Sequence, residues 1–196
     1  MENQKVENVP IKSKFKVFLE DGWDLLKFAI MALIIVIPIR MWIAQPFVVS
    51  GESMYPTFHD GEYLIVDEIS YITGNEQRGD VAIFKYPDDT KRFFIKRIIG
   101  LPNEKIIVRE DSVTIINNEY PEGFTMAEPY INEKVFRPTG EYTTKDNEFF
   151  VMGDNRNRSL DSRSWGVLPK KLMIGRAFLR LLPLKSISYL PGVYNQ

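Results

Sequence analysis

Three short stretches of this 196-residue chain carry side chains whose types and spacing could do chemistry. In VVSGESMYPTF (48–58), Ser53 follows Gly51 and precedes Pro56, which suits either a loop or an exposed nucleophile. A serine hydroxyl does not ionise at neutral pH and needs a base within hydrogen-bond reach. The only histidine, His59, follows Ser53 on the same local segment, where no distant element could aim it, and is a poor base. RFFIKRIIG (92–100) offers a better one. Read as a strand, it puts Lys96 on a face with Phe94 and Ile98, and Arg97 on the other with Phe93, Ile95 and Ile99. A lysine held among such neighbours loses charge, because desolvation disfavours its ammonium form. Arginine cannot respond in that way and needs a carboxylate or carbonyl partner. The competing reading is an edge strand whose two cations point at water. The third stretch, GDNRNRSLDSRSWG (153–166), sets Asp154, Ser159, Asp161 and Arg163 between two glycines. The chain has no cysteine, so thiolate chemistry and disulfides are excluded, and no metal or other cofactor is implied.

Something must hold these groups together. Short runs rich in Ile, Val, Phe and Tyr recur at 62–69, 80–86, 92–100, 104–110, 113–120, 148–153 and 172–183, separated by Gly, Pro, Asn and Asp. That spacing predicts a mainly β fold, an antiparallel sheet or barrel-like domain over 45–196, with a hairpin around Glu110 to Ser112. The last run reads as a strand or a short helix, and its apolar end near Leu181 to Leu184 could rest on a membrane surface. Residues 121–147 read as an irregular excursion. Lys plus Arg number 25 against 26 Asp plus Glu, so no basic surface points to nucleic acid as a partner.

The N-terminal part is different. The uncharged run from Phe28 to Ile39 is shorter than the roughly 20 residues a bilayer demands of a helix. Extension to 25–44 gives a spanning length if Lys27 and Arg40 reach back to the headgroups, with Trp23 and Trp42 at the two interfaces and Pro38 tolerated within. The competing reading is a cleavable leader, but RMWIAQP places Trp42 where a small residue should stand. Lys5, Lys12, Lys14, Lys16 and Lys27 precede or open the span, and after Arg40 no Lys or Arg appears before Arg78. The expectation is therefore a cytoplasmic tail (1–24), a single transmembrane anchor (25–44) in contact with membrane lipid, and an extracytoplasmic domain (45–196).

SGESMYPT, KRIIGLP and GDNRNRSLDSRSWG, in that order behind an anchor, resemble the three catalytic signatures of the bacterial type I signal peptidases. The resemblance implies a membrane-bound serine endopeptidase whose partners are exported precursor proteins. It would cut after small residues at the outer membrane face. It implies Ser53 as nucleophile and Lys96 as general base, a Ser-Lys variant of the histidine triad. Ser159 would orient the lysine amine, Asp161 and Arg163 would form a supporting ion pair, Asp154 would pair with Arg97, and Met54 would line the substrate cleft. Two positions depart from the family pattern. Pro102, Asn103 and Glu104 replace a Pro-Gly-Asp turn, which should not touch the chemistry. Gly51 stands where some relatives have a serine that donates to the oxyanion, leaving that task to the Ser53 backbone N–H together with a further backbone group or water, and Glu52 facing solvent. The absence of cysteine and of a large insertion between Lys96 and Gly153 suits a Gram-positive source. The alternative from another class is a membrane-anchored β module that binds envelope partners without catalysis; the nearer enzymatic alternative, a self-cleaving repressor, would carry a DNA-binding domain.

Overall fold

A computed structural model describes residues 22–34, 36, 44–74, 76–132 and 138–193. Residues 22–34 form helix α1. Among the described residues no helix is long and apolar enough to cross a membrane. Much of the expected span 25–44, including Pro38, Arg40 and Trp42, and the tail before residue 22 lie outside the described residues.

The rest is built from strands: β1 (Ala44–Val48), β2 (Tyr63–Asp67), β3 (Val81–Tyr86), β4 (Asp89–Gly100), β5 (Lys105–Val108), β6 (Val113–Ile116), β7 (Phe124–Thr125), β8 (Gly140–Thr143), β9 (Glu148–Met152), β10 (Leu168–Pro169), β11 (Met173–Leu182) and β12 (Ser188–Tyr189). Helices of one turn, α2 (Ile69–Ile72) and α3 (Ser162–Trp165), interrupt them. The larger sheet runs β1-β2-β11-β3-β4-β9-β10 with β12 beside β11, and the smaller runs β7-β6-β5-β8. Every pairing is antiparallel. The two end strands of the larger sheet, β1 and β10, are not joined, so the described sheets are open rather than a closed barrel.

Alternation explains the faces. In β2, Leu64 and Val66 are buried while their neighbours are half-exposed, and in β3 Val81 through Phe84 are buried on both faces. Arg109 N donates to Ser112 O at 2.9 Å, closing the expected hairpin between β5 and β6. The 172–183 run is a strand, paired with β2, β3 and β12. Residues 121–147 are more than an excursion. They supply β7 and β8, and Met126 (6% exposed) joins the core of Ile106, Ile115 and Phe150. Strands of two and four residues leave almost no period-2 signal to read.

β4 is the element that positions the site. Its second half lies between β3 and β9, with Arg97 opposite Val81 on one side and Met152 on the other. Arg97 is therefore not on an edge, and Lys96, though paired only with β3, does not point at water: Lys96 is 4% and Arg97 0% exposed. Before Arg97 the strand pairs only with β3, so from Asp89 to Lys96 its other edge is unpaired among the described residues. The strand also divides two cores, with Ile95 packing toward Val81 and Ile83, and Phe94 and Ile98 toward Ala82 and Phe84. Full burial of an Ile such as Ile98 contributes about 1.5–3 kcal/mol, and the half-buried Phe94 and Ile95 contribute less.

β4 and β9 are neighbours in space, yet the whole small sheet intervenes between them in the chain. The ends of that intervening segment are stitched together. Thr144 N donates to Glu104 O at 2.9 Å, and Thr144 Oγ1 to Leu101 O at 2.6 Å. Glu104, one of the two turn departures from the family pattern, is buried and accepts from Arg78 at 2.5 Å, Leu101 N at 2.7 Å and Asn117 at 2.8 Å.

Candidate active site

The turn that carries Ser53 is fixed at both ends. Gly51 adopts φ +89°, a conformation that favours glycine, and its N–H donates to Asp60 Oδ1 at 2.7 Å. Tyr55 N donates to Glu52 O at 3.1 Å and Phe58 N to Met54 O at 2.9 Å. Met54 and Phe58 are buried at 1% and 0% exposure beside Val49 and Leu64. Met54 thus lies in the core, packed behind Val49 and Leu64, and is not itself among the residues lining the cleft. The turn is further tied to the 153–166 loop, since Asn155 N donates to the Ser53 carbonyl at 3.0 Å.

Lys96 Nζ lies 2.6 Å from Ser53 Oγ, donates to the Ile95 carbonyl at 2.8 Å, and stands 5.1 Å from the centre of the Phe94 ring. Burial pushes the Lys96 ammonium down to about 8, against the opposing pull of the Asp161 and Asp154 carboxylates. Both carboxylates are themselves neutralised. Asp154 Oδ1 accepts from Arg97 Nε at 2.8 Å and its Oδ2 from Arg97 Nη2 at 2.5 Å, with both side chains wholly buried. Asp161 accepts from Arg163 Nε and Nη2 at 2.8 Å each, caps α3 through Arg163 N, and receives Gly153 N at 3.0 Å. Each arginine forms the planar two-point fork that lysine cannot.

Ser159 is placed otherwise than expected. Among the described residues its hydroxyl, which is buried, has no hydrogen-bond partner, and Lys96 bonds to Ser53 and Ile95. Ser159 and the Ser53 carbonyl crowd the same side of Gly153, where any side chain would collide with both. His59 is 59% exposed, faces Glu62 at 3.5 Å, and is not among the residues lining the cleft. Glu52 is exposed and pairs with Arg158 at 2.7 Å.

Sequence reasoning missed several partners. Thr57 Oγ1 donates to Asp154 Oδ2 at 2.5 Å, joining the nucleophile's turn to the Arg97 pair. Tyr130 lies under the Arg97 guanidinium at 3.8 Å, and Arg156 is held by Glu128. Desolvation, with Glu128 second, holds the Tyr130 phenol well above its usual range. Thr57 could have been suspected as a hydroxyl within the serine motif, but nothing local points to Glu128.

A cleft of about 500 Å³ opens over the pair. Residues 47–53 form one wall, Arg92 to Lys96 the other, and Leu64 and Ile83 the floor. β1 pairs only with β2, so both walls present strand edges that are unpaired among the described residues. No group of three or more metal-ligating side chains occurs among the described residues. An extended peptide fits such edges, and a serine 2.6 Å from a lysine of depressed pKa can attack an acyl carbon.

The family model described as signal peptidase, peptidase S26, matches residues 22–182. The chain is 35% identical over 177 residues to the probable signal peptidase I-2 of a Synechocystis species, covering 87% of this chain and 78% of the relative. It is 33% identical over 187 residues to signal peptidase I T of Bacillus subtilis, covering 90% and 91%. Signal peptidase I of Bacillus licheniformis is 32% identical over 176 residues, covering 84% and 91%. A crystal structure of a signal peptidase I from Enterococcus faecalis V583 aligns with TM-score 0.44 and 28% identity, over 52% of this chain and 95% of that one.

Proposed function

The chain belongs to the signal peptidase family, peptidase S26, and is a serine endopeptidase that removes signal peptides from precursor proteins; we propose that Ser53 is its nucleophile and Lys96 its general base. The observation that carries this assignment is the 2.6 Å approach of Ser53 Oγ to a buried amine whose pKa lies near 8. Neutral Lys96 takes the Ser53 proton as Oγ attacks the scissile carbonyl. The oxyanion is stabilised by the Ser53 backbone N–H, since Gly51 has no side chain to offer. As the tetrahedral intermediate collapses, the lysine ammonium returns its proton to the departing amine, leaving an acyl ester on Ser53. Water then attacks that ester with Lys96 again as base, which restores the serine and frees the signal peptide.

The supporting residues take roles that follow from their contacts. Asp154 with Arg97 and Asp161 with Arg163 hold the strand and loop on either side of the dyad, and by occupying each carboxylate they keep Lys96 from staying protonated. Ser159 supplies a buried hydroxyl that the lysine ammonium engages once it releases Ser53, which satisfies an oxygen otherwise without a partner. The substrate runs as an extended strand between the edges of β1 and β4, with small side chains before the cut. We place the domain outside the cell membrane, tethered by residues 25–44. Only eight residues separate Ala44 from Ser53, so at about 3.3–3.6 Å per residue the reacting serine stays within reach of the bilayer surface. A β module without catalysis has no use for a buried lysine at hydrogen-bond distance from a serine.

The decisive experiment is Ser53→Ala in the full chain, given a precursor protein as reporter. Processing should vanish while the melting temperature stays at the parental value. Substantial cleavage by the purified variant removes Ser53 from the mechanism.

A further inference from the structure

The family match ends at residue 182, but the chain beyond it folds back behind the dyad. β12 pairs with β11 through Tyr189 opposite Leu179. Leu190 N then donates to Phe178 O at 2.7 Å, and Val193 N to Leu190 O at 3.2 Å, closing a turn at 190–193. Within that turn Pro191 is buried and Gly192 has φ +81°. The Gly192 carbonyl accepts a hydrogen bond from Arg97 Nη1, which also donates to the Gly79 carbonyl at 2.8 Å.

These contacts form a continuous path. Arg97 follows Lys96 on β4 and grips Asp154, whose Oδ2 accepts from Thr57 Oγ1 at 2.5 Å. Thr57 lies in the same turn as Ser53. Gly192 also touches that turn directly, since a Cβ placed on it would stand 2.7 Å from Thr57 Cγ2. The turn at 190–193 therefore bears on both the strand that carries the base and the turn that carries the nucleophile, and Gly192 is not among the residues lining the cleft.

We propose that the C-terminal turn 190–193 is a positioning element for the reaction, holding Arg97 and Thr57 from behind so that Ser53 and Lys96 stay in register, with Gly192 as its principal positioning residue. The inference rests on the assignment of Ser53 and Lys96 as the dyad. A misplacement of about 1 Å can cost on the order of 10²-fold in rate, and substrate affinity is untouched because the contact lies outside the cleft.

The test uses the full chain in detergent micelles with a signal-peptide substrate. Gly192→Ala is made in the parental chain and in a Thr57→Ser background, which keeps the hydroxyl that reaches Asp154 and deletes the methyl that the new Cβ would strike. In the parental chain the substitution should lower kcat at least about tenfold and leave KM within about twofold; in the Thr57→Ser background it should cost less than about threefold. The positive φ strains alanine equally in both backgrounds, so a difference between them reports position rather than folding. An equal kcat loss in both, a loss confined to KM, or a parental kcat overturns the proposal. Thr57→Val, which keeps the bulk and removes the hydroxyl, should also lower kcat alone, and a parental kcat there overturns it however Gly192→Ala folds. Ser53→Ala is assayed alongside. If it stays active the dyad assignment has failed; if it is dead and Gly192→Ala is parental, only the positioning role has failed.

Discussion

Lowering the pH should titrate Lys96 out of its reactive form. With a pKa of about 8, roughly 9% of the side chain is neutral at pH 7; at the ordinary value of 10.5 the fraction would be about 0.03%. The fold therefore raises the population of active base about 300-fold, equivalent to about 3 kcal/mol. The value is depressed, so activity is lost on the acid side, as protons return to the amine. Measured with a peptide substrate, kcat/KM should rise about tenfold per unit from pH 6 and level off above about 8, reporting the free enzyme. The kcat limb should lie lower, because bound substrate removes further water from the cleft and desolvates the amine more. His59→Gln should leave both limbs in place, since that ring faces Glu62 and solvent. A profile flat from pH 6 to 9, or an acid limb that disappears in His59→Gln, would refute the reasoning. Lys96→Arg should be inactive throughout, as it retains charge and supplies no base.

Two further outcomes follow from burial. Lys96→Met should be inactive yet more stable than the parent at pH 7, because a buried ammonium is replaced by an apolar chain of similar length. Between about pH 8 and 10.5 the unfolded parent binds more protons than the folded one, so parental stability rises there and the advantage of Lys96→Met should shrink by about 3 kcal/mol, read from urea unfolding at several pH values. Gly153→Ala should cut kcat by about 10²-fold, since its methyl must push the Ser53 carbonyl and Ser159 aside; hydrolysis at saturating substrate checks this, and a parental rate would show that the loop does not set the serine.

How much of this was legible depended on the range of the signal. Ser53, Lys96 and the Asp161–Arg163 pair sit in compact motifs, where residue type and order carry the information; β2, β3 and β4 declare themselves as short runs rich in Ile, Val, Phe and Tyr, and β2 alone adds a clean alternation. Whether Lys96 was buried could not be read from its own strand, because a strand's sequence does not say what packs over its side chains; the turn of Ser53, 43 residues earlier, lies against its amine. Met54 misled because adjacency to the nucleophile does not reveal which way a turn residue points. The Ser159 hydroxyl, expected on Lys96, lies beside Gly153 and has no partner among the described residues. Partners far apart in the chain, such as Thr57 with Asp154 and Glu128 with Arg156, leave no periodic trace at all.

The stitch between Glu104 and Thr144 has a consequence for the architecture of variants. Because the two ends of the intervening segment are bonded to each other, and the register of β4 against β9 is set by their own ladder, the length of chain between them is decoupled from the geometry of the dyad. Loop-closure entropy grows only logarithmically with length, each doubling costing about 0.6 kcal/mol. The Arg109–Ser112 hairpin tip is thus a port at which a fluorescent domain or affinity module can be grafted into the middle of the polypeptide, and a catalytic centre assembled from residues 53, 96 and 154 should not register its arrival.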